Sequence, residues 1–211
     1  MHELLSKLKQ AIIQRDIKAA PALTDESIAA GIRPEDIVND GLVAAMDVVG
    51  EAFGSGKIFV PEMLVSAKLM SDALAKVKPL LAGDTAGNRG TIVMCTVKGD
   101  LHDIGKNLVT IMLEGAGFTV HDLGVNITSQ QVVEEVKKIK PDILGLSALL
   151  TTTVPEMRKV VQLLVERGMR EDVKVMIGGA PVTAGFADEI GADGYGEDAA
   201  QAVALARKLV G

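Results

Sequence analysis

The run Thr91-Ile92-Val93-Met94-Cys95-Thr96-Val97, followed by Gly99-Asp100-Leu101-His102-Asp103-Ile104-Gly105, decides how this chain folds. Its first seven residues are almost continuously apolar, the composition of a buried β-strand. From Asp103 to Gly117 the apolar residues Ile104, Leu108, Ile111 and Met112 fall at helical spacing. Asp100 and His102 therefore stand on a strand-to-helix turn. In an open parallel sheet, ligands bind outside the carboxyl ends of the strands. A histidine there, with a carboxylate two residues away, suits a metal ligand oriented by its neighbour.

Blander readings of this turn compete. A loop histidine is most often a polar surface residue, and a short motif alone carries a high false-positive risk. A phosphate loop fails on count: five residues separate Gly99 from Gly105, and Lys106 is followed by Asn107. No dinucleotide fingerprint follows the strand. Zinc is disfavoured, because three histidines and one cysteine in the whole chain give few ligands to cluster. A metal at His102 would take most of its coordination from something other than protein.

Composition narrows the class. The 211 residues are enough for one large or two small domains, and 48% are apolar. With 2% aromatics and no Trp, the core is aliphatic, with nine Met among its fillers. A net charge of −6 and the lack of a basic run argue against a nucleic-acid partner. The single Cys95 cannot form an intramolecular disulfide, which fits a reducing compartment. The opening Met1-His2-Glu3-Leu4-Leu5-Ser6-Lys7 lacks the regions of a signal peptide, and no apolar run is long enough to span a membrane. A cytoplasmic location is expected.

Residues 1 to about 88 read as helices. Leu4, Leu8 and Ile12 form a first stripe, and a short second helix lies within Asp16 to Ala30, ended by Gly31. Pro34 opens a third, with Leu42, Met46, Val49 and Phe53 on one face, broken at Gly54-Ser55-Gly56. Pro61 opens a fourth, whose stripe Met63, Ala67, Met70, Leu74, Val77 and Leu81 is that of a bundle helix. Phe59, Ser66 and Leu69 lie off that stripe. An exposed Phe and Leu there would mark packing against a second domain, or a lid over a ligand. Residues 82–90 have linker composition and are placed to act as a hinge.

From Thr91 onward strands and helices alternate. Strands are expected at 91–97, 118–122, 142–147, 173–177 and 193–195, with a capping box at Thr128 and Gln131 opening a helix through Lys140. Helices around Val154 to Leu164, Thr183 to Ile190 and Ala199 to Val210 complete the pattern. This is an α/β domain with a five-stranded parallel sheet flanked by helices. Three loops at the carboxyl edge carry unusual residues: Asp100 and His102, then Ser147 to Thr153, then Gly178-Gly179. In a flavodoxin-like order the first and third strands flank the switch-point crevice. Ser147, Thr151 and Thr153 would offer hydroxyls to a ligand tail there, and the glycine pair would allow close approach.

Taken together, Asp100-x-His102-x-x-Gly105, 41 residues, Ser147-x-Leu149, 28 residues and Gly178-Gly179 resemble the cobalamin-binding signature of methionine synthase, the corrinoid-dependent mutases and the small corrinoid methyl carriers. The stretch Phe53 to Pro61 and the helix after it look like the helical cap of methionine synthase. The resemblance covers nearly the whole chain and lacks a methyltransferase barrel. It points to a stand-alone corrinoid protein of a multi-component methyltransferase system, with a Rossmann-like binding domain over 91–211 and a helical bundle cap over 1–88.

What the resemblance implies is residue-specific. His102 would replace the nucleotide base as the lower ligand to cobalt, Asp100 would hold its other ring nitrogen, and Thr153 would complete the relay where methionine synthase has Ser. Gly99, Leu101, Asp103, Ile104 and Gly105 belong to the same signature. Ser147, Leu149, Thr151, Gly178 and Gly179 would surround the nucleotide tail, with Gly196 and Ala199 a looser match. Phe59 and Leu69 would lie over the reactive cobalt face. Such a chain carries a methyl group from a substrate-specific methyltransferase to a second one acting on tetrahydrofolate or a thiol. A reductive activase is a further expected partner, and the chain alone need not turn over. A cobalamin-dependent regulator and a detached subunit of an adenosylcobalamin mutase are the alternatives. The first usually adds a DNA-binding headpiece, and the second lacks a cap.

Overall fold

The structure is a computed structural model that describes residues 2–80 and 89–211. Residues 82–88 of the expected linker, and Leu81 of the fourth stripe, lie outside the described residues. The described residues fall into two compact units, a helical one drawn from residues 2–80 with Glu114–Gly117, and one comprising Arg89–Leu113 and Phe118–Gly211.

In the helical unit, α1 spans His2–Ile13 and α2 Ala19–Ala29. Asp16 Oδ1 accepts the backbone N–H groups of Lys18 and Ala19, which starts α2 three residues after the Asp. Pro34 opens α3, Pro34–Asp36, and the chain continues without a break through a π-helical stretch, Ile37–Val43, into α4, Ala44–Gly54. The apolar period of this segment predicts one regular helix. The wider turn escapes that reading because Ile37, Val38, Leu42 and Val43 are all buried, so the stripe continues across it.

The fourth long helix, α5, spans Val60–Val77, with Pro61 in its first turn. Leu8, Ile12, Ile37, Leu42 and Met63 are among the largest fully buried side chains. Each contributes about 1.5–3 kcal/mol of burial. Ser66 is buried and donates its hydroxyl to the Ile12 carbonyl at 2.9 Å, joining α5 to α1. Leu69 is buried rather than exposed, because α5 hides a face wider than the single stripe Met63, Ala67, Met70 and Val77. Phe59 is the exposed residue of the three, at 68%.

The second unit holds β1 (Thr91–Thr96), α6 (Ile104–Gly115) except its last two residues, β2 (Thr119–Asp122), α7 (Ser129–Ile139), β3 (Ile143–Ser147), α8 (Val154–Glu166), β4 (Lys174–Gly178), α9 (Ala184–Ile190), β5 (Gly194–Gly196) and α10 (Ala199–Val210). The sheet is wholly parallel in the order β2-β1-β3-β4-β5, the flavodoxin-like order, with its switch point between β1 and β3. Ile92 to Cys95 are buried without interruption, as a central parallel strand requires. Val93, Cys95, Leu144, Leu146, Val175 and Ile177 form one cluster with Val132, Val136, Met157, Val160 and Leu164 of α7 and α8. Burial pushes the Cys95 thiol up to about 12, so it behaves as a small apolar residue.

The far edge is tied by Asp193, before β5. Its Oδ2 accepts Val175 N–H at 2.8 Å and Arg170 Nη2 at 2.7 Å. Burial alone would raise its pKa, but these donors and Lys174 outweigh that and hold the carboxyl below its ordinary value. The stabilisation is therefore present above the unfolded-state pKa and lost as pH falls through the lowered folded one. Asp193→Ala is expected to cost about 2 kcal/mol at neutral pH, and less as the buffer approaches the acid range. Denaturant midpoints at neutral and acid pH check both parts.

Candidate functional site

β1 ends at Thr96, and the chain crosses the switch point before α6 begins. Val97 N–H donates to the Ser147 carbonyl at 3.0 Å, so the loop leaves the sheet alongside β3. Asp100 is fully buried. Its Oδ1 accepts the backbone N–H of His102 at 3.0 Å and stands 2.7 Å from His102 Nδ1. Its Oδ2 accepts Leu149 N–H at 2.7 Å, Leu150 N–H at 3.2 Å and Thr153 Oγ1 at 2.7 Å. The β1–α6 and β3–α8 loops thus meet at one carboxylate.

Burial taken alone would push that carboxyl's pKa up. Hydrogen bonds from Leu149, Thr153 and His102 outweigh the burial and hold it well below the usual carboxylate range. A carboxylate can only accept, so the 2.7 Å contact places a ring proton on Nδ1 and turns Nε2 away from Asp100. The His102 side chain is 52% exposed, and Nε2 has no protein partner among the described residues. The arrangement is an imidazole oriented through Nδ1, with its other ring nitrogen facing away from the protein, where it could ligate.

The surroundings of His102 are apolar. Leu101, Leu149 and Leu150 are exposed, and Ile104, at 87%, is the most exposed large apolar residue described. Ile104 stands in the first turn of α6, ahead of the buried Met112 and Leu113, as expected of a residue of the ligand loop rather than of the core. Four exposed aliphatic side chains in the two loops that flank one imidazole favour a large, partly apolar ligand.

The remaining sequence candidates separate. Gly99 lies in the loop and Asp103 and Gly105 at the start of α6. Ser147 closes β3, and Thr151 is exposed beyond it. Thr153 turns inward: its hydroxyl reaches Asp100 and the Leu150 carbonyl, so it is not on offer to a ligand tail. Gly178 and Gly179 end β4, where their small size is required by the protein itself. A Cβ on Gly178 would lie 2.9 Å from the Gly196 carbonyl oxygen, and one on Gly179 (φ +129) 1.9 Å from that of Ala148. Gly196 and Ala199 are buried at the end of β5 and the start of α10.

Three residues at this edge were not visible in the sequence. Thr96 is buried and donates its hydroxyl to the His102 carbonyl at 3.0 Å. Asn126 accepts the Gly99 N–H at 2.8 Å through Oδ1. Lys106 is buried and donates to Asn107 Oδ1 at 2.7 Å and to the Asp122 carboxylate, tying the start of α6 to the end of β2. Only Asn126 leaves a signal, since Asn tolerates the left-handed backbone of a turn. Thr96 reads as strand and Lys106 as surface.

Among the described residues no group of three or more His, Cys, Asp or Glu is placed to hold a bare metal ion. A single free imidazole nitrogen framed by exposed aliphatics fits a metal that brings its own macrocycle. Comparison with known proteins is consistent with that donor set. Two models of the B12 binding domain match the chain, one over residues 90–204 and one over 4–78. Dimethylamine corrinoid protein 1 of Methanosarcina acetivorans is 44% identical over 209 residues, covering 99% of this chain and 98% of that protein. Trimethylamine corrinoid protein of Methanosarcina barkeri is 42% identical over 204 residues, covering 96% and 94%.

Two solved structures share the whole architecture. The methanol:cobalamin methyltransferase complex of M. barkeri contains a chain with TM-score 0.88 at 33% identity, covering 99% of this chain and 80% of that one. A cobalamin-binding protein of Desulfitobacterium hafniense gives TM-score 0.82 at 35% identity, covering 98% of both. Domain models that together span most of its length, and curated relatives matched almost end to end, place the chain in the B12-binding family, among the corrinoid proteins of methyltransferase systems.

Proposed function

We propose that this chain is a methyl-group carrier, with residues 91–211 as the corrinoid-binding domain, residues 1–88 as the helical cap and His102 Nε2 as the lower ligand to cobalt. The observation that carries the reading is the buried Asp100 carboxylate, which fixes Nδ1–H of a half-exposed imidazole at the β1/β3 switch point. The bound corrinoid supplies a cobalt able to take and give a methyl group. The protein supplies the rest. Asp100 orients the imidazole, Thr153 and the amides of Leu149 and Leu150 keep Asp100 ionised, and Leu101, Ile104, Leu149 and Leu150 give the macrocycle an apolar seat.

Ser147, Thr151, Gly178, Gly179, Gly196 and Ala199 line the strand ends where a nucleotide tail would enter. Two methyltransferases are the proposed partners, one specific for the methyl donor and one passing the group to tetrahydrofolate or a thiol, with a reductive activase restoring the carrier. The relatives named for methylamine and methanol systems support the first of these. Among the described residues no helix is long and apolar enough to cross a membrane.

The test uses protein labelled with heavy nitrogen in histidine and loaded with cob(II)alamin. Wild type is expected to show an isotope-dependent splitting in its electron paramagnetic resonance spectrum. His102→Ala is expected to keep bound corrinoid and lose that splitting, since the ring packs in no core. Wild-type protein without isotope-dependent splitting, or one that takes up no corrinoid, would overturn the reading.

A further inference from the structure

The main chain around His102 is gripped by residues that never touch its imidazole. Thr96 donates Oγ1–H to the His102 carbonyl. Thr96 is itself immobilised, because its N–H donates to Gly124 O at 2.9 Å and its carbonyl accepts Ile127 N–H at 3.1 Å. Asn126 stands at φ 58, and its two polar groups reach the His102 loop together. Its N–H donates to the Asp100 carbonyl at 3.0 Å, and its Oδ1 accepts Gly99 N–H. The segment between β2 and α7 therefore runs on beside β1 after β2 has ended, paired at Val97 and Ile127, and closes on the loop from the side opposite β3.

Asp100 fixes the rotation of the imidazole and ties the loop to the β3–α8 side through Leu149, Leu150 and Thr153. Gly99, at φ +82, turns the chain into that loop in a conformation that side chains rarely adopt. The Thr96 and Asn126 bonds hold the same loop from the other side before any ligand arrives, and a metal-ligating atom held in advance costs less ordering on binding. Resting on the reading that His102 is the lower ligand, we propose that Thr96 and Asn126 are positioning residues that preset the His102 loop for ligation, so that the β2–α7 segment sets how firmly the histidine holds cobalt.

The experiment again uses heavy-nitrogen histidine and cob(II)alamin, at matched corrinoid occupancy. Free imidazole of ordinary isotopic composition is added until it replaces half of the labelled signal. Loss of one net hydrogen bond corresponds to about fivefold in such an equilibrium. Thr96→Val, which keeps the shape and removes the hydroxyl, is expected to lower the half-replacement concentration about fivefold, and Thr96→Ser to restore it. Asn126 is exposed, so Asn126→Ala tests the second grip without touching the core. It is expected to lower the midpoint similarly, while Asn126→Asp, which keeps an acceptor for Gly99, stays near wild type.

A merely structural role would lower thermal stability and leave the midpoint unmoved. Equal midpoints in Asn126→Ala, Thr96→Val and wild type would overturn the positioning role, with the labelled signal of wild type still in place. Absence of that signal from wild type would overturn the ligand assignment beneath it.

Discussion

Asp100→Ala is expected to cost the α/β unit about 3–5 kcal/mol, the range for deleting one member of a buried charged network. Among the described residues the carboxylate is the single acceptor for the N–H groups of His102, Leu149 and Leu150, and it takes the Thr153 hydroxyl and His102 Nδ1 besides. Alanine removes the acceptor of three backbone donors, and whatever part of them stays out of water carries the penalty of an unmet group. Thr153 keeps a partner, because the Leu150 carbonyl lies 2.9 Å away. Asp100→Asn should fall between, since its amide oxygen satisfies one side while its NH2 faces donors on the other. Denaturant unfolding of the corrinoid-free protein, with m-values compared, measures the series. A loss below about 1 kcal/mol for Asp100→Ala would show that the two loops are held by something other than this carboxylate.

Gly179→Ala is the second large effect. The new Cβ would stand 1.9 Å from the Ala148 carbonyl oxygen, which is backbone at the end of β3 and cannot swing away, and φ +129 is itself unfavourable for any L residue. The β3 and β4 ends must then separate, at an expected cost of about 3 kcal/mol or more, with loss of corrinoid uptake as a consequence.

Gly105→Ala is the informative control. Gly105 lies in the first turn of α6 with an ordinary φ, and a Cβ there meets nothing within 4 Å. The corrinoid-free protein should gain about 0.5–1 kcal/mol from it. Glycine at 105 is therefore unexplained by the fold alone, and a drop in corrinoid uptake by a more stable Gly105→Ala would assign its small size to the ligand. A loss of apo stability instead would place the constraint inside the protein.

The contrast between these glycines shows what a sequence can reveal. β1 and its loop were readable because a continuous apolar run followed by Gly-Asp-x-His and a helical period has few other folds. The Thr128–Gln131 capping box was readable because both its bonds lie within four residues, and the structure holds both. Thr96, Asn126 and Lys106 were not, since their partners lie on neighbouring segments and depend on the strand order. Leu69 reads as exposed in sequence, but α5 buries a broad face that includes it. The sequence named Gly178 and Gly179 with a ligand in mind, whereas the nearest atoms that demand them are carbonyl oxygens of Gly196 and Ala148.

The Thr153 hydroxyl has one hydrogen and two oxygens in reach, Asp100 Oδ2 at 2.7 Å and Leu150 O at 2.9 Å. It is a rotor with two settings. When the carboxylate is fully charged the hydrogen points to it. When less charge sits there, the hydrogen swings to the carbonyl, and no heavy atom moves. The hydroxyl therefore has a partner in either setting, and turning from one to the other needs the rotation of a single O–H bond.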